Sequence, residues 1–377
     1  MKLLFASDSF KGTLSSDQII KLLNESAQRI FPGCETVGVP VADGGEGTVD
    51  AVIAVTNGDY RKVKVHGPLM EETEASYGVF HGDSAIIEMA AASGLPMVPT
   101  EKRNPLNTTT YGTGELIKDA LDHGYRKLSI AIGGSATNDG GCGCAAALGT
   151  GFYDIHGNRF IPTGATLEQI ETIRVPDGWT LPEDVRITVM CDVDNPLYGP
   201  TGAVHVFGRQ KGADAAMITQ LDQGLRKLDA VMKENLGVSV ADVPGTGAGG
   251  GMGAGCMAFL HAELKPGIEC VLDTIGFDAM LEDAELVITG EGRIDSQSVH
   301  GKVISGIAKR TRLRGIPLIA LVGGIAEGAE AGYDLGVTAM FGIDRSAQDF
   351  HAFASDSAKY YQRTLEDILR LIAAVKG

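Results

Sequence analysis

The sequence predicts an α/β protein of two domains. One is Rossmann-like and assembled from both chain ends; the other is an inserted mixed-sheet α/β domain. Three observations carry this expectation. Short apolar runs at 2–6, 37–41, 286–289, 317–322 and 337–341 alternate with helical patterns, and most of them pass into small-residue or acidic loops. Between residues 60 and 89 the pattern changes to three strands joined by short turns, a meander rather than strand–helix–strand. The chain has 377 residues, 44% of them apolar, which is enough for more than one core.

Taken in order, the run at 2–6 ends at Ser7 and Asp8, and Ser15, Ser16 and Asp17 then supply an N-cap for a helix carrying Ile19, Ile20, Leu22 and Leu23. The run at 37–41 ends in Asp43, Gly44, Gly45, Glu46 and Gly47, and a helix starts near Thr48. The meander uses 62–65, 75–80 and 84–89, with turns at Gly67-Pro68 and His81-Gly82-Asp83. A helix over 113–123 and a strand over 127–132 lead into the glycine-rich loop 133–141 and an Ala-rich helix over 142–148. A strand over 186–191 ends on Asp192, a long amphipathic helix covers 215–236, and 245–255 reads as the most glycine-dense loop. Strand–helix alternation then returns, with helices over 302–312 and, at the end, 364–375. The expected domains are 1–60 with 285–377, and 61–284.

Composition excludes several classes. A formal net charge of -16 argues against nonspecific binding to nucleic acid or to an anionic membrane. It does not exclude an anionic substrate, because beyond a Debye length of roughly 8 Å exposed charge is largely screened and local groups decide. The 51 glycines are about twice the usual share and cluster in loops, as expected where backbone approaches a ligand. The six cysteines form no CxxC pair and suit no zinc site, so they are expected to be reduced, buried or half-buried thiols, as in the cytoplasm. The four-residue apolar run at the N-terminus is too short for a signal peptide, and no run approaches the roughly 20 residues of a membrane span.

Six segments join small residues to one or two polar groups: 8–13, 42–48, 133–141, 191–196 with 199–203, 245–255 and 289–302. This suits phosphoryl transfer, which needs donors around phosphates, a divalent cation held by one or two carboxylates, and a group that orients the attacking hydroxyl. The Walker A and protein-kinase signatures are absent. A GxGxxG match at Gly245, Gly247 and Gly250 follows no clear strand and lies where glycine is dense enough for chance matches. The expected catalytic residues are Asp192, Asp295 and Lys11, with Asp192 and Asp295 also the expected ligands of magnesium. Asp8, Asp43, Arg293, Ser135 and Asn138 are expected to bind substrate, and Gly133, Gly134, Thr137, Gly249, Gly250 and Gly251 to bind the nucleotide. Each has a plainer alternative. Lys11 can be a solvated lysine, Asp43 a helix cap, and Asp192 part of an Asx-turn with Asp194. Glu291 and Arg293 can pair on the surface, and Ser135, Thr137 and Asn138 can cap the next helix. No histidine pair stands at metal-ligand spacing.

At these residues the chain resembles the bacterial glycerate kinases of the first type. The resemblance covers essentially the whole chain. It is carried by Asp-Ser-Phe-Lys-Gly-Thr at 8–13, Pro-Val-Ala-Asp-Gly-Gly-Glu-Gly-Thr at 40–48 and Gly-Gly-Ser-Ala-Thr-Asn-Asp-Gly-Gly at 133–141. Cys-Asp-Val-Asp-Asn-Pro-Leu at 191–197, Gly-Ala-Gly-Gly-Gly-Met-Gly at 247–253 and Thr-Gly-Glu-Gly-Arg-Ile-Asp at 289–295 complete it. The resemblance implies ATP- and magnesium-dependent phosphorylation of D-glycerate, at the 2-hydroxyl in some members, with the 3-phosphate also assigned in the family. It implies two α/β domains, one built from both chain ends, with the active site in the cleft between them; a cytoplasmic monomer or homodimer is expected. The small-molecule substrate would be its only partner, with no nucleic acid and no membrane. Two rival classes remain at this point: a nicotinamide-dependent hydroxy-acid oxidoreductase and a non-catalytic sugar-acid sensor.

Overall fold

The computed structural model describes residues 1–10, 12–45, 47–175, 181–295, 302–344 and 350–376. The chain opens with β1 (Lys2–Ser7), α1 (Ser16–Ile30), β2 (Glu35–Pro40) and α2 (Thr48–Thr56). Three strands follow, β3 (Asp59–His66), β4 (Glu72–Phe80) and β5 (Ser84–Glu88), then α3 (Ala90–Ser93), α4 (Tyr111–Asp122), β6 (Lys127–Ala131) and α5 (Cys142–Ala147). The short strands β7 (Gly151–Tyr153), β8 (Arg159–Phe160) and β9 (Thr172–Arg174) precede β10 (Arg186–Met190), α6 (Ala203–Phe207), α7 (Ala215–Leu236), α8 (Ala248–Leu260) and β11 (Glu263–Lys265). Next come α9 (Gly267–Thr274), α10 (Phe277–Met280), β12 (Leu286–Gly290), β13 (Arg293–Ile294) and α11 (Val303–Leu313). The chain closes with β14 (Leu318–Val322), β15 (Gly324–Ile325), α12 (Ala331–Leu335), β16 (Ala339–Gly342) and α13 (Phe350–Lys376).

These elements form two compact units, Met1–Asp43 with Pro266–Gly377, and Gly44–Lys265. Helix α2 packs on β4 and β5, and α9 packs on α11, so α2 goes with the meander and 266–284 with the chain ends.

The first unit is a five-stranded, fully parallel sheet in the order β16-β14-β12-β1-β2. Numbered along the chain this is 2-1-3-4-5, whose reversal of direction lies between β1 and β12, and not the 3-2-1-4-5 order of dinucleotide-binding sheets. Its inner strands β1, β12 and β14 are continuous apolar runs because both faces are covered. Leu3, Phe5, Leu286, Ile288, Ile319 and Leu321 face α1 and α13 through Ile19, Leu23, Tyr361 and Leu365. The alternate residues Leu4, Val287 and Ala320 are equally buried, and α11 packs on β12 and β14 through its own buried Val303, Ile304 and Ile307. Each such aliphatic side chain contributes about 1.5–3 kcal/mol relative to exposure. The capping box at Ser15 and Gln18 starts α1 where the Ser-Ser-Asp pattern placed it. Helix α13 is longer than the amphipathic pattern at 364–375 indicated, starting at Phe350.

The second unit holds a six-stranded mixed sheet in the order β11-β10-β6-β5-β4-β3. The pairs β11–β10, β10–β6 and β6–β5 are parallel, while β5–β4 and β4–β3 are the antiparallel meander. Its main core joins Ala85, Ile87, Leu128, Ile130, Ile187 and Val189 to the buried faces of α4, α5, α7 and α8. The 245–255 stretch departs from its expected loop form. Only Gly249, Gly250 and Gly251 are non-helical inside α8, and from Met252 the chain continues as a buried helix despite its glycines. Packing overrides the weak helix propensity of glycine there. No described helix is long and apolar enough to cross a membrane, and the six cysteines are thiols outside any disulfide, five of them buried.

Candidate active site

In the second unit the sheet register aligns Glu88, Ala131, Met190 and Lys265 in one row at the carboxyl ends of four adjacent parallel strands. Neighbouring strands lie about 4.8 Å apart, so loops leaving this row emerge side by side. Gly133 and Gly134 follow β6, and Asp192 follows β10 by the same two residues, exposed. Gly44, Gly45, Glu88, Ala90, Ala91, Pro96, Ala131, Gly133 and Gly134 line a cavity of about 230 Å³. With one carboxylate and otherwise small or apolar residues, its walls are mostly backbone.

The loop 133–141 is held at nearly every turn. Leu95 N donates to Gly134 O, Ala136 N to Ser93 O, and Thr108 Oγ1 to Ala136 O. Asp139 is fully buried and accepts five hydrogen bonds, from Thr109 Oγ1, Thr110 N, Thr110 Oγ1, Gly141 N and Gly143 N. Burial still outweighs these donors and pushes its carboxyl above the usual range. Lys211, 2% exposed, donates from Nζ to Ser135 Oγ at 2.8 Å and to Thr137 O at 2.6 Å. Burial lowers its ammonium to about 7, and the Asp139 charge opposes the shift. The hydroxyl of Thr137 and both polar atoms of the Asn138 amide are buried without a hydrogen-bond partner among the described residues. Buried polar atoms are nearly always satisfied in native proteins, so these two side chains call for a water or a ligand.

Gly249, Gly250 and Gly251 are all left-handed, with φ of +64°, +72° and +91°. A Cβ on Gly250 would overlap the carbonyl oxygen of Thr137, and Gly250 O accepts from Gly140 N. These glycines therefore let one backbone lie directly on the other, which fixes the 137–140 turn from behind. Glu88 has a comparable role at 42–48. Its carboxylate accepts from Val49 N at 3.0 Å and caps α2, whose own N-cap Gly47 offers no side chain. Asp43 is thus not needed as that cap. Burial raises the Glu88 carboxyl, with the α2 backbone N–H groups opposing.

In the first unit Ser7 pairs with both Pro40 and Gly290, so Asp8, Asp43 and Glu291 all follow strand ends on either side of the β1/β12 reversal. Asp8 N donates to Gly290 O, and Asp8 Oδ1 accepts from Ser9 N at 2.6 Å. Beyond Glu291, which is buried, Arg293 and Ile294 form β13 against β15, extending the β12 loop as a narrow parallel ribbon. Arg293 is exposed on it and Asp295 half-buried at its end. Lys11 lies outside the described residues.

The expected residues thus fall into two sets. Ser135, Thr137, Asn138, Gly133 and Gly134 share one loop with Gly249–251 packed on it and Asp192 on the next strand. Asp8, Asp43, Arg293 and Asp295 share the strand ends of the other unit. The sequence reading missed Glu88, Asp139 and Lys211. For magnesium, no group of three or more His, Cys, Asp or Glu side chains converges among the described residues. The expected ligands Asp192 and Asp295 are carboxylates, of which a hard cation takes one or two beside phosphate oxygens and water. The glycine-walled cavity and the unpartnered Thr137 and Asn138 fit a nucleotide.

Residues 3–373 match the model of the Glycerate kinase family. The chain is 45% identical over 377 residues to a glycerate kinase of Bacillus subtilis strain 168, covering 100% of this chain and 99% of the relative. It is 49% identical over 345 residues to a glycerate 2-kinase of Escherichia coli K12, covering 91% and 89%. A crystal structure from Salmonella typhimurium LT2, assigned as a glycerate kinase 2, matches with a TM-score of 0.89 at 41% identity, covering 100% and 99% of the two chains. Glycine-rich loops at parallel strand ends, strand-end carboxylates and likeness over the whole length agree: this chain is a phosphotransferase that belongs to the glycerate kinase family.

Proposed function

We propose that this enzyme transfers the γ-phosphoryl group of ATP to the 2-hydroxyl of D-glycerate, giving 2-phospho-D-glycerate and ADP. The observation that carries the reading is the loop 133–141, immobilised by Asp139 and Lys211 and presenting Gly133 and Gly134 to a cavity. Such a loop can meet phosphates without reorganising, which is what a loose phosphoryl-transfer transition state rewards. The 2-position follows the relative named a glycerate 2-kinase.

In this reading Gly133, Gly134, Ser135, Thr137 and Asn138 bind the nucleotide phosphates, and Gly249, Gly250 and Gly251 hold that loop in shape. Arg293 and Lys11 neutralise the glycerate carboxylate, with Asp8 and Asp43 orienting its hydroxyls. The 2-hydroxyl oxygen bonds to the γ-phosphorus as the bond to the β–γ bridging oxygen breaks, and the hydroxyl proton passes to Asp295. Asp192 and Asp295 would hold magnesium, which supplies charge neutralisation on the phosphate oxygens. ADP release coupled to a reporter, followed with and without D-glycerate, tests the activity; glycerate-independent release, or none, overturns it. Phosphorus NMR of the product separates the 2- from the 3-phosphate, and the 3-phosphate would overturn the regiochemistry alone.

A further inference from the structure

The ammonium of Lys211 is almost fully buried, yet both of its hydrogen-bond partners are neutral, the Ser135 hydroxyl and the Thr137 carbonyl. No carboxylate pairs with it among the described residues. Buried charges are ordinarily paired, because an uncompensated one costs several kcal/mol in a poorly polarisable interior. The charged groups around it are few. Asp139 acts on it from the far end of the same loop without touching it. On its own turn Arg209 is exposed, and so is Asp214 at the start of α7, while Arg103, whose carbonyl lies against Gly212, is half-buried. The loop it supports carries the exposed Gly133 and Gly134 and the unpartnered Thr137 and Asn138 side chains.

We propose that Lys211 is a positioning residue whose charge is completed by the ligand: an anionic phosphate group seated on loop 133–141 supplies the counter-charge that the fold withholds, so that nucleotide binding draws a proton onto Lys211. This rests on the reading of that loop as the phosphate site. The sense of the coupling follows from burial. In the free enzyme the ammonium is held down to about 7 by desolvation, so at pH 8 the side chain is mostly neutral and still hydrogen-bonded to Ser135. A phosphate anion nearby favours the charged form and raises that value. By reciprocity, protonation tightens nucleotide binding, and affinity falls as pH rises above 7, approaching about tenfold per unit while Lys211 is neutral free and charged in the complex.

The test is calorimetric titration of the wild-type enzyme with ADP and magnesium at pH 8, in two buffers of different ionisation enthalpy. The terminal phosphate of ADP is already ionised there, so proton uptake reports the protein. Uptake approaching one proton per ADP is expected, together with at least tenfold weaker binding and no uptake in Lys211→Met. Below pH 7, where Lys211 is charged, that variant removes an uncompensated buried charge and is expected to melt no lower than wild type, which separates positioning from structural support. Binding of ADP to wild type without proton uptake would overturn the proposal, as would K211M binding ADP with wild-type affinity; the first result needs no variant to fold. If ADP fails to bind wild type while D-glycerate binds with proton uptake, the nucleotide reading of the loop is what fails.

Discussion

The two units place loops at parallel strand ends by different means. In the first, the sheet order 2-1-3-4-5 reverses direction between β1 and β12, and such a reversal leaves room at the carboxyl ends without special support. Asp8, Asp43, Glu291 and Asp295 follow from where the strands stop. In the second, the parallel strands β5, β6, β10 and β11 run in one direction with no reversal. The loop after β6 is instead pinned by buried polar side chains, chiefly Asp139 and Lys211, and by a backbone of left-handed glycines. Topology positions the loops of the first unit, and buried hydrogen bonds position the loop of the second. Substitutions in the first unit's loops should therefore change chemistry and spare stability, whereas loss of Asp139 or of the Gly250 backbone approach beneath the second unit's loop should change both.

Asp295→Asn gives the largest expected effect. Turnover should fall by about 10³, or about 4 kcal/mol of transition-state stabilisation, with the thermal midpoint unchanged within a degree or two. Steady-state ADP release beside a melting curve checks both halves. Near-normal turnover removes Asp295 from the mechanism; a large drop in melting temperature breaks the proposed contrast between the units.

Asp139→Ala tests the other side. It leaves donors on Thr109, Thr110, Gly141 and Gly143 without an acceptor in the interior. A loss of about 3 kcal/mol in urea unfolding is expected, with activity falling as the loop loosens. A loss below about 1 kcal/mol would mean that these donors find water instead. A comparable loss is expected for Gly250→Ala, where a left-handed φ of +72° and overlap with the Thr137 carbonyl coincide.

This contrast also explains what the sequence made legible. Both ends of the chain were readable as one style of sheet because doubly covered parallel strands are continuous apolar runs, and the meander because its turns are short. The helix at 215–236 was readable from its amphipathic pattern, and the structure adds its caps, Asp214 and Gly237. The glycine-rich loops stood out by composition, but their function did not. Gly249, Gly250 and Gly251 look like ligand-facing residues, and only the closeness of Thr137 gives them a packing role. Lys211, Asp139 and Glu88 gave no signal because their partners are remote in the chain. Lys211 reaches Ser135 across 76 positions, Glu88 reaches Val49 across 39, and Asp139 reaches Thr110 across 29. A lone lysine in Arg-Gln-Lys-Gly looks solvated until the fold buries it.

Lys211 offers a smaller, pH-dependent effect. Its folded value of about 7 lies below the unfolded 10.5, so between the two the unfolded chain holds the extra proton. The penalty for burying this charge is therefore full below pH 7 and is relieved as pH rises, by at most about 1.4 kcal/mol per unit. The stability of wild type relative to Lys211→Met should climb from pH 7 to pH 9 in urea titrations. A flat difference would show that the side chain finds a counter-charge in the free enzyme, and would remove the asymmetry argued for this loop.

The smallest effect is expected at Gly237, which ends α7 in the same unit with φ of +68° and open space where a Cβ would project. Gly237→Ala should cost about 1 kcal/mol, the strain of a left-handed alanine alone, and leave ADP release unchanged. Beside Gly250→Ala it divides the unit's glycines by mechanism. Both are left-handed, so any excess loss at Gly250 measures the backbone approach that fixes loop 133–141, free of the cost of φ. Equal losses at the two positions would mean that the loop yields to an added methyl group, and that Asp139 and Lys211 alone hold it in place.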